Sequence, residues 1–290
     1  MSEPRRHHYI PRSYLEGWYD REGFLSCYQW ATDKLICRRL SSKSTAFKRD
    51  LYALEHTPEE YRQAHEKYVN QAVDSDGALV LAKFRSGVGV DQLTAAERLS
   101  WSRFVISLPL RNPEALLDIT LSSQKSTLER TRADYTEQFP DPGSEEEFER
   151  TFAEVLREDP EVAWLHSNHG LVVLAGILLD PQYAASVSAL NWWTLDLSGS
   201  RFRLLTSDRP YVLFGMAQER RIGYVPVSPS LGFFSSPDPL KPQQFRAAMS
   251  REGPTRLAGF LNSLVAGYGE RYVYGIDCKQ ARFVEKRLKR

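Results

Sequence analysis

Phe24-Leu25-Ser26-Cys27-Tyr28-Gln29-Trp30 and Leu35-Ile36-Cys37-Arg38-Arg39-Leu40 flank the short polar break Ala31-Thr32-Asp33-Lys34. Both runs are rich in aromatic and branched residues, and the break between them has hairpin length, so the stretch predicts two antiparallel strands. Working outward, the apolar spacing turns helical after residue 56 and returns to alternation from residue 190. Strand, then helix, then strand, with no fixed-period repeat, predicts an α+β fold. We expect a single domain over 1–290: an N-terminal β region (1–56), a helical middle (57–185), and a C-terminal region of strands and a helix (186–290). The long central helical layer would pack on a mixed β region made by the N-terminal hairpin and the C-terminal strands.

Capping chemistry marks the helices. Thr57-Pro58-Glu59-Glu60 reads as a capping box with proline in the first turn, opening a helix to about Phe84 with Tyr61, His65, Tyr68, Ala72 and Leu79 near one face. Thr94 with Glu97 opens a second helix that Pro109 kinks or ends, and Asn112-Pro113 opens a third that turns polar from Ser122. Phe139-Pro140-Asp141-Pro142-Gly143 is the clearest breaker, followed by Ser144 and Glu147 as another box. Beyond Asp159-Pro160 a segment reaches Leu179, apolar nearly all round and expected to be buried. Residues 191–197 and 201–206 alternate around Ser198-Gly199-Ser200 and predict a second hairpin. Strands at 222–227, 231–234 and 271–275 and a helix from Pro254 complete the pattern.

Composition narrows the class. A formal net charge of +1 excludes an overall electrostatic nucleic-acid binder, leaving only local basic patches. Cys27, Cys37 and Cys278 are odd in number and lack CxxC spacing, so neither a disulfide framework nor a thiolate zinc site is expected. The start is charged where a secretory signal would be apolar, and the apolar run from Leu171 to Leu179 is too short for a helical membrane span. These features predict a bacterial-type cytoplasmic protein without membrane contact; the oligomeric state is left open.

Two imidazoles and a guanidinium crowd His7-His8-Tyr9-Ile10-Pro11-Arg12. Together with Tyr14-Leu15, Trp18, Asp50-Leu51-Tyr52, Arg111, Pro113 and Thr206-Ser207-Asp208-Arg209-Pro210, this order resembles a widespread bacterial family catalogued as a domain of unknown function. Its members often begin HHYIPRFYLKGF and later carry TSDNP. Arg209 replaces the frequent Asn, and Trp18 stands where Phe is usual. The resemblance implies a shared fold and brings no activity. The opening also resembles that of HNH-type endonucleases, but the later Asn and His of that motif are missing at the expected distance.

The candidate site follows from side-chain chemistry. Imidazole serves in proton transfer or as a metal ligand, and a carboxylate at a strand end, such as Asp208, is rigidly presented. His7, His8 and Asp208 are therefore the candidate catalytic residues, with His8 and Asp208 as candidate ligands of a divalent metal. Arg12, Arg111 and Asn262 are candidate substrate-binding residues, the arginines because a guanidinium forks onto carboxylate or phosphate. The leading reading is a hydrolase, of phosphodiesterase or nuclease type, acting on nucleic acid or a small anion. The alternative is a non-catalytic binding protein for a small anionic ligand or a protein partner. Structural readings compete throughout: His7 and His8 as ties for the N-terminus, Asp208 as a turn former, Asp50 as a partner of arginine, and His166 and His169 as ordinary helix residues. No dinucleotide-binding glycine fingerprint, phosphate loop or nucleophile elbow occurs; Gly87-Val88-Gly89 reads as a loop.

Overall fold

A computed structural model of the chain describes residues 5–140, 143–215 and 221–290. Asp141 and Pro142, at the centre of the expected breaker, lie outside the described residues. The fold is α+β. In chain order its first elements are β1 (Arg6–His8), α1 (Arg12–Leu15), β2 (Leu25–Ala31), β3 (Lys34–Leu40), β4 (Phe47–Arg49), α2 (Gln71–Arg85) and α3 (Ala95–Leu110). Next come α4 (Pro113–Gln138), α5 (Ser144–Glu158), α6 (Pro160–Ser167), α7 (His169–Leu179), α8 (Pro181–Ser188), β5 (Asn191–Asp196) and β6 (Thr206–Ser207). The last are β7 (Val212–Phe214), β8 (Ile222–Pro226), β9 (Leu231–Ser236), α9 (Lys241–Glu252), α10 (Pro254–Tyr268), β10 (Val273–Gly275) and α11 (Ala281–Glu285). The chain forms two compact units, each drawn from three stretches of sequence.

One unit comprises the described parts of Met1–His7, Arg49–Ala72 and Pro113–Asp180. Its helix α4 begins at Pro113 as expected and buries only Leu116, in keeping with its polar distal half. Helix α7 lies against α4 so closely that a Cβ on Gly170 would collide with the Thr120 side chain. Several expectations change here. The helix predicted from Thr57 does not start there, because the Thr57 hydroxyl is engaged otherwise: it donates to the Glu55 carbonyl (2.9 Å) and accepts from Trp164 Nε1 (2.7 Å). A π-helical turn spans Glu66–Asn70 before α2, and its wider winding shifts the helix face. Tyr61, Tyr68 and Leu79 are consequently exposed, while Val73, Val80, Leu81 and Phe84 are buried. The Ser144–Glu147 box does not form, since Gly143, in the left-handed region at φ 98°, occupies the cap. The apolar segment ending at Leu179 is two helices bent by 66°. Asn168 fixes the bend, accepting from Glu55 N (2.8 Å) and donating to the Glu55 and Trp164 carbonyls. Leu171, Leu174 and Leu178 are buried, whereas Val172 and Leu179 are exposed. No single helix among the described residues is long and apolar enough to cross a membrane.

The other unit comprises His8–Lys48, Val73–Asn112 and Pro181–Arg290. It contains two four-stranded sheets, ordered β3-β2-β10-β6 and β5-β9-β8-β7, with every pair antiparallel. The β2–β3 hairpin forms as read, with Ala31 opposite Lys34. The capping box also forms: Thr94 Oγ1 accepts from Glu97 N while a Glu97 carboxylate oxygen accepts from Thr94 N. Helix α3 ends at Leu110, one residue past Pro109. The hairpin predicted over 191–206 does not form. Strand β5 pairs with β9 instead, and residues 203–205 are engaged elsewhere: Leu204 N donates to the Pro229 carbonyl and Leu205 N to Asn262 Oδ1. The core joins Tyr28, Trp193, Tyr224 and Phe234 to Leu261 and Val265 of α10, and Val284 and Leu288 of the C-terminal segment close it. Contrary to expectation, Cys37 on β3 and Cys278 form a disulfide across a sequence separation of 241, leaving Cys27 free and buried.

Candidate functional site

Each residue singled out by the sequence has a defined environment, beginning with the N-terminal pair. His7 is fully buried, its Nδ1 accepting from Tyr52 N (2.9 Å) and its ring stacked on Tyr52. His8 is half-buried beside the Phe47 ring. Burial, reinforced by the Arg12 guanidinium, pulls its imidazole down to about 4, opposed by the backbone of Ser42 and Lys43. A neutral imidazole of such low basicity is poorly matched to general-base work near neutral pH.

Asp208 is equally committed. It is 4% exposed, and its carboxylate accepts from the backbone amides of Glu270 (2.9 Å), Arg271 (2.8 Å) and Tyr272 (3.2 Å). Burial pushes the carboxyl up and those amides hold it down, with burial the larger effect. The group organises the turn that leads into β10. No hydrogen bond or ion pair joins it to His8 among the described residues. No cluster of three or more His, Cys, Asp or Glu side chains suited to a metal occurs among them either.

The candidate binding residues divide by burial. Arg111, fully buried, forks onto both carboxylate oxygens of Asp74 and donates through Nη2 to the His8 carbonyl (3.0 Å). Its anion is thus supplied from within the protein. Asn262, also fully buried, accepts from Leu205 N and donates to the Arg203 carbonyl (2.8 Å) and Gln280 Oε1 (3.1 Å), tying α10 to the 203–205 segment. Arg12 is exposed, with a loose pairing to Glu16 at 4.0 Å. Asp50 pairs with Arg5 at 2.6 Å, the structural role expected of it. His166 and His169 fall on different helices, α6 and α7, and His169 Nε2 lies 3.5 Å from Thr127 Oγ1.

A different residue stands out on electrostatic grounds. Arg85, at the end of α2, is half-buried and donates only to carbonyls: Nε to Val227 (2.9 Å), Nη1 to Ser13 (2.9 Å) and Nη2 to Tyr14 (2.7 Å). Among the described residues no carboxylate hydrogen-bonds or forms an ion pair with it; burial disfavours its charge, and Tyr14 and the Glu16 carboxylate favour it. Its guanidinium lies against Gly17, where any Cβ would collide with Nη2 and Cζ. Three of the five N–H donors are used, so two remain. Arg85 also lines a cleft of about 460 Å³, together with Gly87-Val88-Gly89, Thr194, Asp196, Ser198 and Ser230. Asp196 accepts from Ser198 N (2.8 Å).

Little in the sequence points to Arg85. Its three partners come from two segments, the adjacent Ser13 and Tyr14 and the remote Val227. The one local signal is Gly87, which ends α2 in the left-handed region at φ 92° and shapes the neighbouring loop.

No curated protein and no solved structure matches the chain. A family profile does match, over residues 6–278, and by that match the chain belongs to the family described as protein of unknown function (DUF4238).

Proposed function

We propose that this protein binds a small anionic ligand without turning it over, and that the ligand sits in the Arg85 cleft. The observation that carries this reading is the half-buried Arg85, a lining residue of the cleft, whose guanidinium donates to three carbonyls and, among the described residues, hydrogen-bonds to no carboxylate, with Glu16 favouring its charge only through space. A desolvated charge is strongly favoured by an opposite charge nearby. Arg111 meets that need with Asp74; for Arg85 a bound anion supplies it. The phosphodiesterase reading has less support, since His8 is only weakly basic and Asp208 is buried and committed to three backbone amides.

The test is isothermal titration of inorganic phosphate and of citrate into the full-length protein, beside Arg85→Gln and Gly17→Ala. Saturable binding in the wild type, weakened by about tenfold or more in both variants, is expected, because removing one charged partner of an anion is worth upwards of ~1.5 kcal/mol. Circular dichroism confirms that the variants fold. Equal anion binding in all three folded proteins would sink the proposal, as would turnover of bis(p-nitrophenyl) phosphate that survives Arg85→Gln.

A further inference from the structure

We infer that the Cys37–Cys278 disulfide is a thiol–disulfide exchange site, opened by a dithiol reductant, that latches the C-terminal segment 276–290 onto the strand unit. Three observations carry it.

The first is access. Cys278 is exposed and Cys37 half-buried, so an attacking thiolate can reach the bond in the folded protein. The third cysteine is excluded from the chemistry: Cys27 is fully buried, and burial pushes its thiol up to about 12. Thiolates, not thiols, perform exchange.

The second is what the bond joins. Cys37 lies on β3, the edge strand of the β3-β2-β10-β6 sheet. Cys278 follows β10 and opens the terminal segment. Reduction therefore severs a tie between a sheet edge and a chain end.

The third is the nature of the remaining ties. Tyr28 OH donates to the Asp277 carbonyl (2.6 Å) and accepts from Gln280 N (3.3 Å), and Trp30 Nε1 donates to the Leu288 carbonyl (3.1 Å). Arg287 Nε donates to Ser263 Oγ (3.1 Å), Lys289 Nζ donates to a Glu270 carboxylate oxygen (3.1 Å), and the Arg290 guanidinium lies over the Trp30 ring. Val284 and Leu288, with Ala281 and Phe283 packed beside them, supply the apolar part of the attachment. Each polar tie is individually modest, so with the disulfide cut the segment can open locally without unfolding the sheets. Gln280 also touches Asn262 and the Arg203 carbonyl, so its departure would loosen the stretch leading to β6.

The chemistry balances as a two-electron exchange. A thiolate of the reductant attacks Cys278 Sγ, the Sγ–Sγ bond breaks, and Cys37 leaves as a thiolate that takes up a proton. The second thiol of the reductant, deprotonated, attacks the mixed disulfide and releases Cys278 as a thiol once protonated. The reductant ends as an intramolecular disulfide. In reducing compartments exposed disulfides of this kind are transient and redox-sensing.

The experiment equilibrates the native full-length chain with reduced and oxidised dithiothreitol, alkylates, and locates the modified cysteines by mass spectrometry. Hydrogen exchange is followed in parallel. Alkylation of Cys37 and Cys278 but not Cys27 is expected, together with exchange in 276–290 faster by about tenfold or more while β5, β8 and β9 stay protected. Cys37→Ser and Cys278→Ser, without reductant, should reproduce the faster exchange; Cys27→Ala should not. A pair that reacts only once the whole protein is unfolded would overturn the inference. So would a reduced native protein whose 276–290 amides exchange no faster than in the oxidised one.

Discussion

Replacing Asp74 with alanine removes the carboxylate onto which the Arg111 guanidinium forks. Arg111 is fully buried, and its Nη2 also donates to the His8 carbonyl, which is neutral. Breaking a buried pair by deleting one partner removes about 3–5 kcal/mol. Asp74 retains 25% side-chain exposure, so water can reach part of the site and the lower end applies, about 3 kcal/mol. With a urea slope of about 2–3 kcal/mol per molar, the unfolding midpoint should fall by roughly 1–1.5 M. Tryptophan fluorescence is a suitable probe, because Trp18, Trp30, Trp101, Trp192 and Trp193 all lie in the unit that contains the pair. Adding Arg111→Met to Asp74→Ala should recover most of the loss, since an apolar side chain of similar length removes the buried charge. A midpoint shift below about 0.3 M for Asp74→Ala, or a double variant less stable than the single, would refute this account of the pair.

Three further outcomes follow from the packing and titration described above. Asn262→Ala leaves Leu205 N and the Arg203 carbonyl without their side-chain partner and should lower stability by about 1–3 kcal/mol in the same urea assay. Gly77→Leu drives a side chain into the Phe104 ring, already in collision range of a Cβ at that position, and should lower it by about 1–3 kcal/mol or more. His8 titrates near 4 in the folded chain against 6.5 unfolded, so the unfolded chain takes up the proton first on acidification. Stability should thus be fully retained above about pH 6.5 and decline toward pH 4. Urea midpoints across that window should fall less steeply for His8→Asn than for the wild type.

What the sequence disclosed depended on range. The Thr94–Glu97 box and the β2–β3 hairpin are local devices, closed within a few residues, and both formed as read. Thr57 carried an equally good local signal, yet its hydroxyl went to Trp164 and Glu55, a tertiary competitor that no local pattern contains. The predicted 191–206 hairpin failed for the same reason, since Asn262 and Pro229 claim the backbone groups it needed. At the candidate site, Arg111 was visible as a cation at a helical corner, but its counter-ion Asp74 was not. Arg85 was silent because backbone carbonyls from two segments distant from it leave no residue-type signature. The disulfide joins the β hairpin to a segment near the other end of the chain, and odd cysteine arithmetic offered no pairing.

Strand β10 sits between β2 and β6, antiparallel to both. That placement has a consequence for how the protein is made. During synthesis the β2–β3 hairpin leaves the ribosome early, but the strand that covers its inner edge arrives only with residues 273–275. Until then Leu25, Cys27 and Tyr28, all fully buried in the finished fold, have no neighbour on that side. Closure of this sheet therefore waits for contacts distant in sequence and is correspondingly slow. Until β10 arrives, the nascent chain is exposed to edge pairing with other copies, and chaperone demand should concentrate on that interval.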